Sequence, residues 1–416
     1  MIKGEKPLKG KVQIGGAKNA ALAIVTAVIS SGGVCVVDNL PAIEDVHNLA
    51  LAIRKLGAKC RFLSPHALEI DASCIKTHVV DYELAAKMRA SVYLLGALLG
   101  RFGKAEVPMP GGCDFGYRPI DYHLKGFEAL GATCVQEHGW VKVYADKLVG
   151  TNMYLDFPSV GATINIMLAA IFAEGMTQIE NAAREPHVVD VASFLNMMGA
   201  KITGAGTDII RINGIQKLGG SNYTIVQDPI ETGTYMIAAA ITNGDITVEN
   251  IIPKHMEPLT AKLRDMNCIV EEGEDSLRVY RNGELKGCDV KTSPYPGFPT
   301  DLQPQMATLL CTANGASVIT ETIFNNRFQY VNELKRLGAN LKVEGRTAIT
   351  KGSCNFTGAQ VAATDLRAGA ALMLAGFAAK GETIIGNIYH IDRGYECFEE
   401  KFRALGADIT RIERDE

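Results

Sequence analysis

The chain has 416 residues, of which 47% are hydrophobic and 21% charged, with a net charge of -4. That length supports two or three domains with sizeable cores, and the slightly acidic balance argues against a general nucleic-acid binder. The eight histidines include no HExxH and the ten cysteines no CxxC, so no metal site is expected and a reduced, cytoplasmic protein is the simpler reading.

Residues 1–11 hold no signal-peptide core, and the apolar run 20–29 follows Lys18-Asn19. Like the run 90–100, it falls short of the ~18 to 20 residues needed to span a bilayer, so both are expected to be buried helices without membrane association. A helical pattern then closes at Leu56-Gly57-Ala58 and passes into a strand-like stretch, and Lys87-Met88-Arg89-Ala90-Ser91 opens the second apolar helix. Residues 110–119 follow, with three glycines, two prolines, Cys113 and Arg118. Glycines allow close backbone approach and positive φ, so a loop that closes over a ligand is expected here. Cys113 is either its reactive thiol or a buried structural cysteine, the commoner fate of a free cysteine.

The Leu-Gly-Ala phrase recurs along the chain. Its glycine, or the equivalent residue, stands at 57, 131, 199, 267, 338 and 406, with Asn267 in the one degenerate copy. A glycine just past a helix takes the left-handed cap, and asparagine is the next best residue there. Units of about 70 residues are too long for solenoid repeats and short for separate domains, so six of them suggest two domains of three. Small-residue helices also open six times on polar groups, at Lys18, Arg89, Ser159, Glu231, Asp301 and Asp365. Singly, each reads as helix capping; the sixfold recurrence favours an anion cleft lined by helix N-termini.

Taken together, these motifs resemble one family. Gly16-Ala17-Lys18-Asn19-Ala20, Met88-Arg89-Ala90-Ser91, residues 110–119, Asp121-x-His123 and Ser159-Val160-Gly161-Ala162-Thr163 come first. Phe298-Pro299-Thr300-Asp301, Asn326-Arg327-Phe328, Thr364-Asp365-Leu366-Arg367 and Asp392-Arg393-Gly394-Tyr395 follow in order. The set is similar to the UDP-N-acetylglucosamine enolpyruvyl transferases (carboxyvinyltransferases) over nearly the whole chain. The resemblance implies an α/β fold of two inside-out α/β barrels, with six pseudo-repeated βαβαββ-type units, three per domain. One domain would comprise 18–226 with the catalytic loop 110–119, the other 1–17 plus 227–416, with the active site between them.

The same resemblance implies transfer of the enolpyruvyl group of phosphoenolpyruvate to the 3-hydroxyl of UDP-N-acetylglucosamine, with release of phosphate. This is the first committed step of peptidoglycan synthesis, and it uses no cofactor and no metal. Those two small molecules are the expected partners; nothing points to a protein partner. Cys113 would be the general acid and would also form an adduct with phosphoenolpyruvate, since a thiol of pKa about 8.5 is readily tuned near neutral pH. Asp301 would be the base on the sugar hydroxyl, unless it is only an N-cap. Lys18 and Arg393 complete the catalytic set. Phosphoenolpyruvate would be held by Lys18, Asn19, Arg89, Arg118, Arg367 and Arg393, where arginine forks suit phosphate and carboxylate. The nucleotide sugar would meet Asn19, Arg89, Arg118, Pro119, Ile120, Asp121, Tyr122 and His123. It would also meet Phe157, Pro158, Ser159, Val160, Gly161, Asp301, Ile323 and Arg327.

Ala23, Ile164, Asn325, Tyr117 and Tyr122 depart from the common family pattern, and they bear on sugar-nucleotide specificity more than on reaction type. Two rivals follow: a paralogue that transfers enolpyruvyl to another nucleotide such as UMP, and a non-catalytic nucleotide-sugar-binding homologue. The retained Lys18, Cys113, Asp301, Arg367 and Arg393 weigh against the second.

Overall fold

All six Leu-Gly-Ala phrases end a helix in the same way. Gly57, Gly131, Gly199, Asn267, Gly338 and Gly406 have φ between +72° and +114°, a region that favours glycine and tolerates asparagine. Within three residues each turns into a strand: Lys59–Ser64, Thr133–Glu137, Lys201–Thr203, Cys268–Glu272, Leu341–Glu344 and Asp408–Ile409. The structure, a computed structural model, describes residues 1–109 and 120–412.

These strands belong to six small sheets with one shared plan. Asn222–Thr224 runs parallel to Val34–Asp38, which pairs antiparallel with Ala67–Asp71, itself the hairpin partner of the post-glycine strand Lys59–Ser64. In the three-stranded sheet the parallel partner shrinks to a single bridge, Val79 to Glu106. The last sheet differs in origin. Ile2–Lys3 lies between Glu382–Gly386 and Asp408–Ile409, antiparallel to both, where the other sheets use the second strand of a hairpin. The first residues of the chain therefore complete its last repeat.

This closure gives a testable consequence. Ile2 is buried in the second core, so Ile2→Ala is expected to cost about 2 to 3 kcal/mol. The melting temperature should fall by roughly 5 to 10 °C, whereas the exposed Val34→Ala should shift it by about 1 °C or less. Equal melting curves for wild type and Ile2→Ala would mean that the terminal strand contributes nothing.

The described residues fall into two compact units, one of residues 16–109 and 120–226, the other of 1–15 and 227–412. Each has its own hydrophobic core. Small-residue helices occupy the centres: Lys18–Ala27, Tyr93–Phe102 and Val160–Ala170 in the first, Pro229–Ile241, Gln303–Thr312 and Leu366–Ala378 in the second. Nearly every residue of five of these helices is buried, as an apolar, alanine-rich surface all round a helix requires, and Tyr93–Phe102 buries residues 94–99. The sheets lie outside them, so each unit is an inside-out α/β barrel of three repeats. Close helix contact depends on Gly96, where a Cβ would collide with the backbone and side-chain oxygens of Asn165. Among the described residues no helix is long and apolar enough to cross a membrane.

Two helix openings depart from a simple start. Arg89–Val92 and Thr300–Leu302 are 3-10 turns that run into Tyr93–Phe102 and Gln303–Thr312. At the first, the buried Ser91 hydroxyl donates to the Ala85 and Met88 carbonyls at 3.1 and 2.9 Å, which tightens the chain before the α-helix begins.

Candidate active site

In the unit of 1–15 and 227–412, the opening turn Thr300–Leu302 carries Asp301 toward two buried arginines. Asp301 Oδ1 lies 3.2 Å from Arg327 Nη2, and Oδ2 lies 3.1 Å from Arg367 Nη2. Arg327 and Arg367 are 1% and 4% exposed, so both charges sit largely out of water, where such contacts are strongest. Asp301 is the second residue of its turn, behind the N-cap Pro299, and so does not occupy the capping position. The capping alternative is thereby removed, and the carboxylate serves the two cations.

Each arginine is held from behind. Arg367 is the second residue of Leu366–Ala378, whose cap, Asp365, accepts from the Arg367 and Ala368 N–H groups. The Arg367 guanidinium stands 5.5 Å over the Tyr395 ring, and the Tyr395 hydroxyl meets Thr234 at 3.0 Å and Gln305 at 3.3 Å. Burial acts to lower the pKa of Arg367, but Asp301, followed by Tyr395 and Asp228, outweighs it and holds the group well above its usual range. Its Nη1 is buried without a hydrogen-bond partner among the described residues, which suits an incoming anion. Arg327 belongs to a turn shaped by the buried Glu321. That carboxylate accepts from the Thr292 and Thr300 hydroxyls at 3.0 and 2.9 Å, and from the Ile323 and Phe324 N–H groups at 2.8 and 3.1 Å. Ile323 is thus fixed in the turn that precedes Arg327, while Asn325 is exposed. Arg393, partly exposed, ends the short helix Tyr389–Asp392.

In the unit of 16–226, Lys18 is the first residue of its helix and is 9% exposed. Its ammonium pairs at 2.9 Å with the buried Asp45, from the first turn of Glu44–Leu56. Neighbouring Asn19 is exposed. Arg89, partly exposed, opens its 3-10 turn close enough for its charge to act on Tyr93 and His123. Ile120 is buried, Asp121 exposed and Tyr122 partly buried against the core. Phe157, Pro158, Ser159, Val160 and Gly161 are partly exposed where the helix Val160–Ala170 begins. Gly161 packs against His123: a Cβ there would stand 3.0 Å from its Cε1 and 3.1 Å from its Nε2. Ile164 and Ala23 are core residues with no exposure. Cys113, Tyr117, Arg118 and Pro119 lie outside the described residues.

His123 is a neutral group held by burial. Desolvation, reinforced by the Arg89 charge, pushes its pKa down to about 3 from an ordinary 6.5. The unfolded chain therefore takes up the proton first. Stability is complete above pH 6.5 and is lost as the pH falls toward the folded value, by up to about 1.4 kcal/mol per pH unit. Urea midpoints measured from pH 7 to pH 4.5 should fall less steeply in His123→Gln than in wild type; identical slopes would show that His123 does not set this loss.

Polar helix openings prove mixed in use. Ser159, Asp228 and Asp365 accept hydrogen bonds from N–H groups of their own helices, so capping accounts for these three. Lys18, Arg89 and Asp301 make no cap. The buried Glu231 instead pairs with Lys401 at 2.7 Å.

The EPSP synthase (3-phosphoshikimate 1-carboxyvinyltransferase) family matches residues 2–402. The chain belongs to this family. This EPSP synthase family member is 56% identical over 412 residues to UDP-N-acetylglucosamine 1-carboxyvinyltransferase 3 of Caldanaerobacter subterraneus subsp. tengcongensis, covering 99% of each chain. It is 57% identical to UDP-N-acetylglucosamine 1-carboxyvinyltransferase of Clostridium botulinum, again over 412 residues and 99% of each. Among solved structures, the enolpyruvyl transferase NikO from Streptomyces tendae matches with a TM-score of 0.89 at 26% identity, covering 98% of this chain and 97% of that one.

Three side chains of this family member were not singled out by motif: Asp45, Glu321 and Asn165. Asp45 shows in sequence only as an acid at a helix start, and Glu321 as an acid six residues before Arg327. Asn165 follows Ile164, and its polar neighbour status gave no sign of three hydrogen bonds. Each acts through a partner distant in sequence, which only the fold supplies.

Proposed function

We propose that this chain is a UDP-N-acetylglucosamine 1-carboxyvinyltransferase. It transfers the enolpyruvyl group of phosphoenolpyruvate to the 3-hydroxyl of UDP-N-acetylglucosamine, releases phosphate and so commits the sugar to peptidoglycan. The observation that carries this reading is identity of 56% and 57% over 99% of the chain to relatives bearing that name.

The chemistry is addition followed by elimination. Cys113 donates a proton to the methylene carbon of phosphoenolpyruvate as the sugar oxygen bonds to its central carbon. Asp301 takes the proton of that hydroxyl. Loss of a proton from the new methyl group then expels phosphate and restores the double bond. Lys18 and Arg89 neutralise phosphate, and Arg367 and Arg393 hold the anionic substrate through the charge changes. The pairing of Asp301 with Arg327 and Arg367 supports this, because it puts the base and an anion-binding guanidinium within one hydrogen bond. The reaction is placed in the cytoplasm, where ten cysteines stay reduced.

Mass spectrometry of the protein incubated with phosphoenolpyruvate and UDP-N-acetylglucosamine should show the enolpyruvyl nucleotide sugar and an adduct on Cys113. Turnover of UMP but not of UDP-N-acetylglucosamine would overturn the acceptor, and absence of phosphate release with either would overturn the enzyme.

A further inference from the structure

The side chain of Asn165 joins three segments that hold expected ligand groups. It is fully buried on Val160–Ala170. Its Oδ1 accepts from the Gly96 N–H at 2.7 Å, and its Nδ2 donates to the Val92 carbonyl at 2.7 Å and to His123 Nδ1 at 2.8 Å. Val92 and Gly96 lie one helical turn apart, where the turn that begins at Arg89 runs into Tyr93–Phe102.

Backbone groups dictate how this amide is oriented. Reversing it would put an NH2 against the Gly96 N–H and a carbonyl against the Val92 carbonyl, donor facing donor and acceptor facing acceptor in a buried site. The NH2 therefore faces His123, whose Nδ1 must accept. A neutral imidazole that accepts at Nδ1 carries its proton on Nε2, and Nε2 is on the side that faces Gly161.

We propose that Asn165 is a positioning residue of the nucleotide-sugar subsite: it fixes His123 in the Nε2–H form, a neutral donor beside Gly161 for an acceptor oxygen of the uridine diphosphate moiety. The subsite role rests on the function proposed above; the tautomer rests on geometry alone. A neutral donor discriminates by direction as well as by distance, and it is lost if the proton moves to Nδ1. Asn165 touches no substrate in this account. It acts through His123, and through Val92 on the turn of Arg89.

Long-range 1H–15N spectra of the ligand-free protein, with the ring assigned by His123→Gln, should show His123 as the Nε2–H tautomer. In the near-isosteric Asn165→Asp the carboxylate can only accept, so the proton should move to Nδ1 and Nε2 should lose its hydrogen. The KM for UDP-N-acetylglucosamine should then rise about tenfold, with less than about threefold change in kcat and in the KM for phosphoenolpyruvate. An Nδ1–H tautomer in wild type would overturn the proposal, as would an Asn165→Asp protein that keeps Nε2–H or raises both KM values equally. If Asn165→Asp does not fold, the wild-type tautomer decides. A wild-type protein with the Nε2–H form but no turnover of UDP-N-acetylglucosamine would sink the functional reading and the subsite role, and would leave the ring assignment standing.

Discussion

Asp301→Asn is expected to lower kcat by about 10²- to 10⁴-fold, the range typical of removing a general base. The amide keeps the shape of the carboxylate but cannot take the proton of the sugar hydroxyl. A second effect follows from the geometry. Arg327 and Arg367 each use a different oxygen of Asp301, so one of them would face an NH2, donor against donor. Both guanidiniums are buried, and stability should drop by about 2 to 3 kcal/mol. Chemical denaturation measures that loss, and kcat is compared at a temperature where the variant is fully folded. If folded Asp301→Asn keeps kcat within a factor of ten, Asp301 is not the base and its role is confined to holding the two arginines.

Cys113→Ser should lower phosphate release by a similar factor and abolish the protein-bound adduct. A thiol near pKa 8.5 gives up its proton readily around neutral pH, whereas an alkyl hydroxyl of nearly the same size does not. The KM for UDP-N-acetylglucosamine should change little, because the oxygen preserves the size of the side chain. Eight of the nine other thiols do not confuse the adduct assay. Burial raises the pKa of Cys35, Cys354 and Cys397, and lifts Cys60, Cys268 and Cys288 to about 11 and Cys134 and Cys311 to about 12. Their thiolate fraction at neutral pH is small, so adduct mass should follow residue 113. Undiminished phosphate release by Cys113→Ser would remove it as the acid.

Much of the architecture was legible before any coordinates. The left-handed positions at 57, 131, 199, 267, 338 and 406 follow from local chemistry: glycine or asparagine after a helix, then alternating residues. The six buried central helices follow from apolar, alanine-rich composition in the same way. Lys18, Arg89 and Asp301 were legible as candidates because they stand at the polar openings of apolar helices, and Arg327 and Arg367 through the family resemblance.

What local pattern could not supply was the partner of each charge. Asp301 read equally well as a cap until the fold set it between Arg327 and Arg367, 26 and 66 residues away. Ser159 and Asp365 looked the same in sequence and are caps, while the opening marked by Glu231 is capped by Asp228 instead. The 3-10 starts at Arg89 and Thr300 were likewise hidden, being decided by packing and by side-chain bonds to the backbone. Nor could periodicity show that Ile2–Lys3 completes a sheet with residues near 383 and 409. The sequence by itself determined the repeat count, the buried helices and the inventory of charged groups, because those depend on spacing and composition within one helical turn or strand. Only the tertiary structure decided which charges meet, which polar groups are spent on caps and how His123 is oriented, because these depend on contacts between residues tens to hundreds of positions apart.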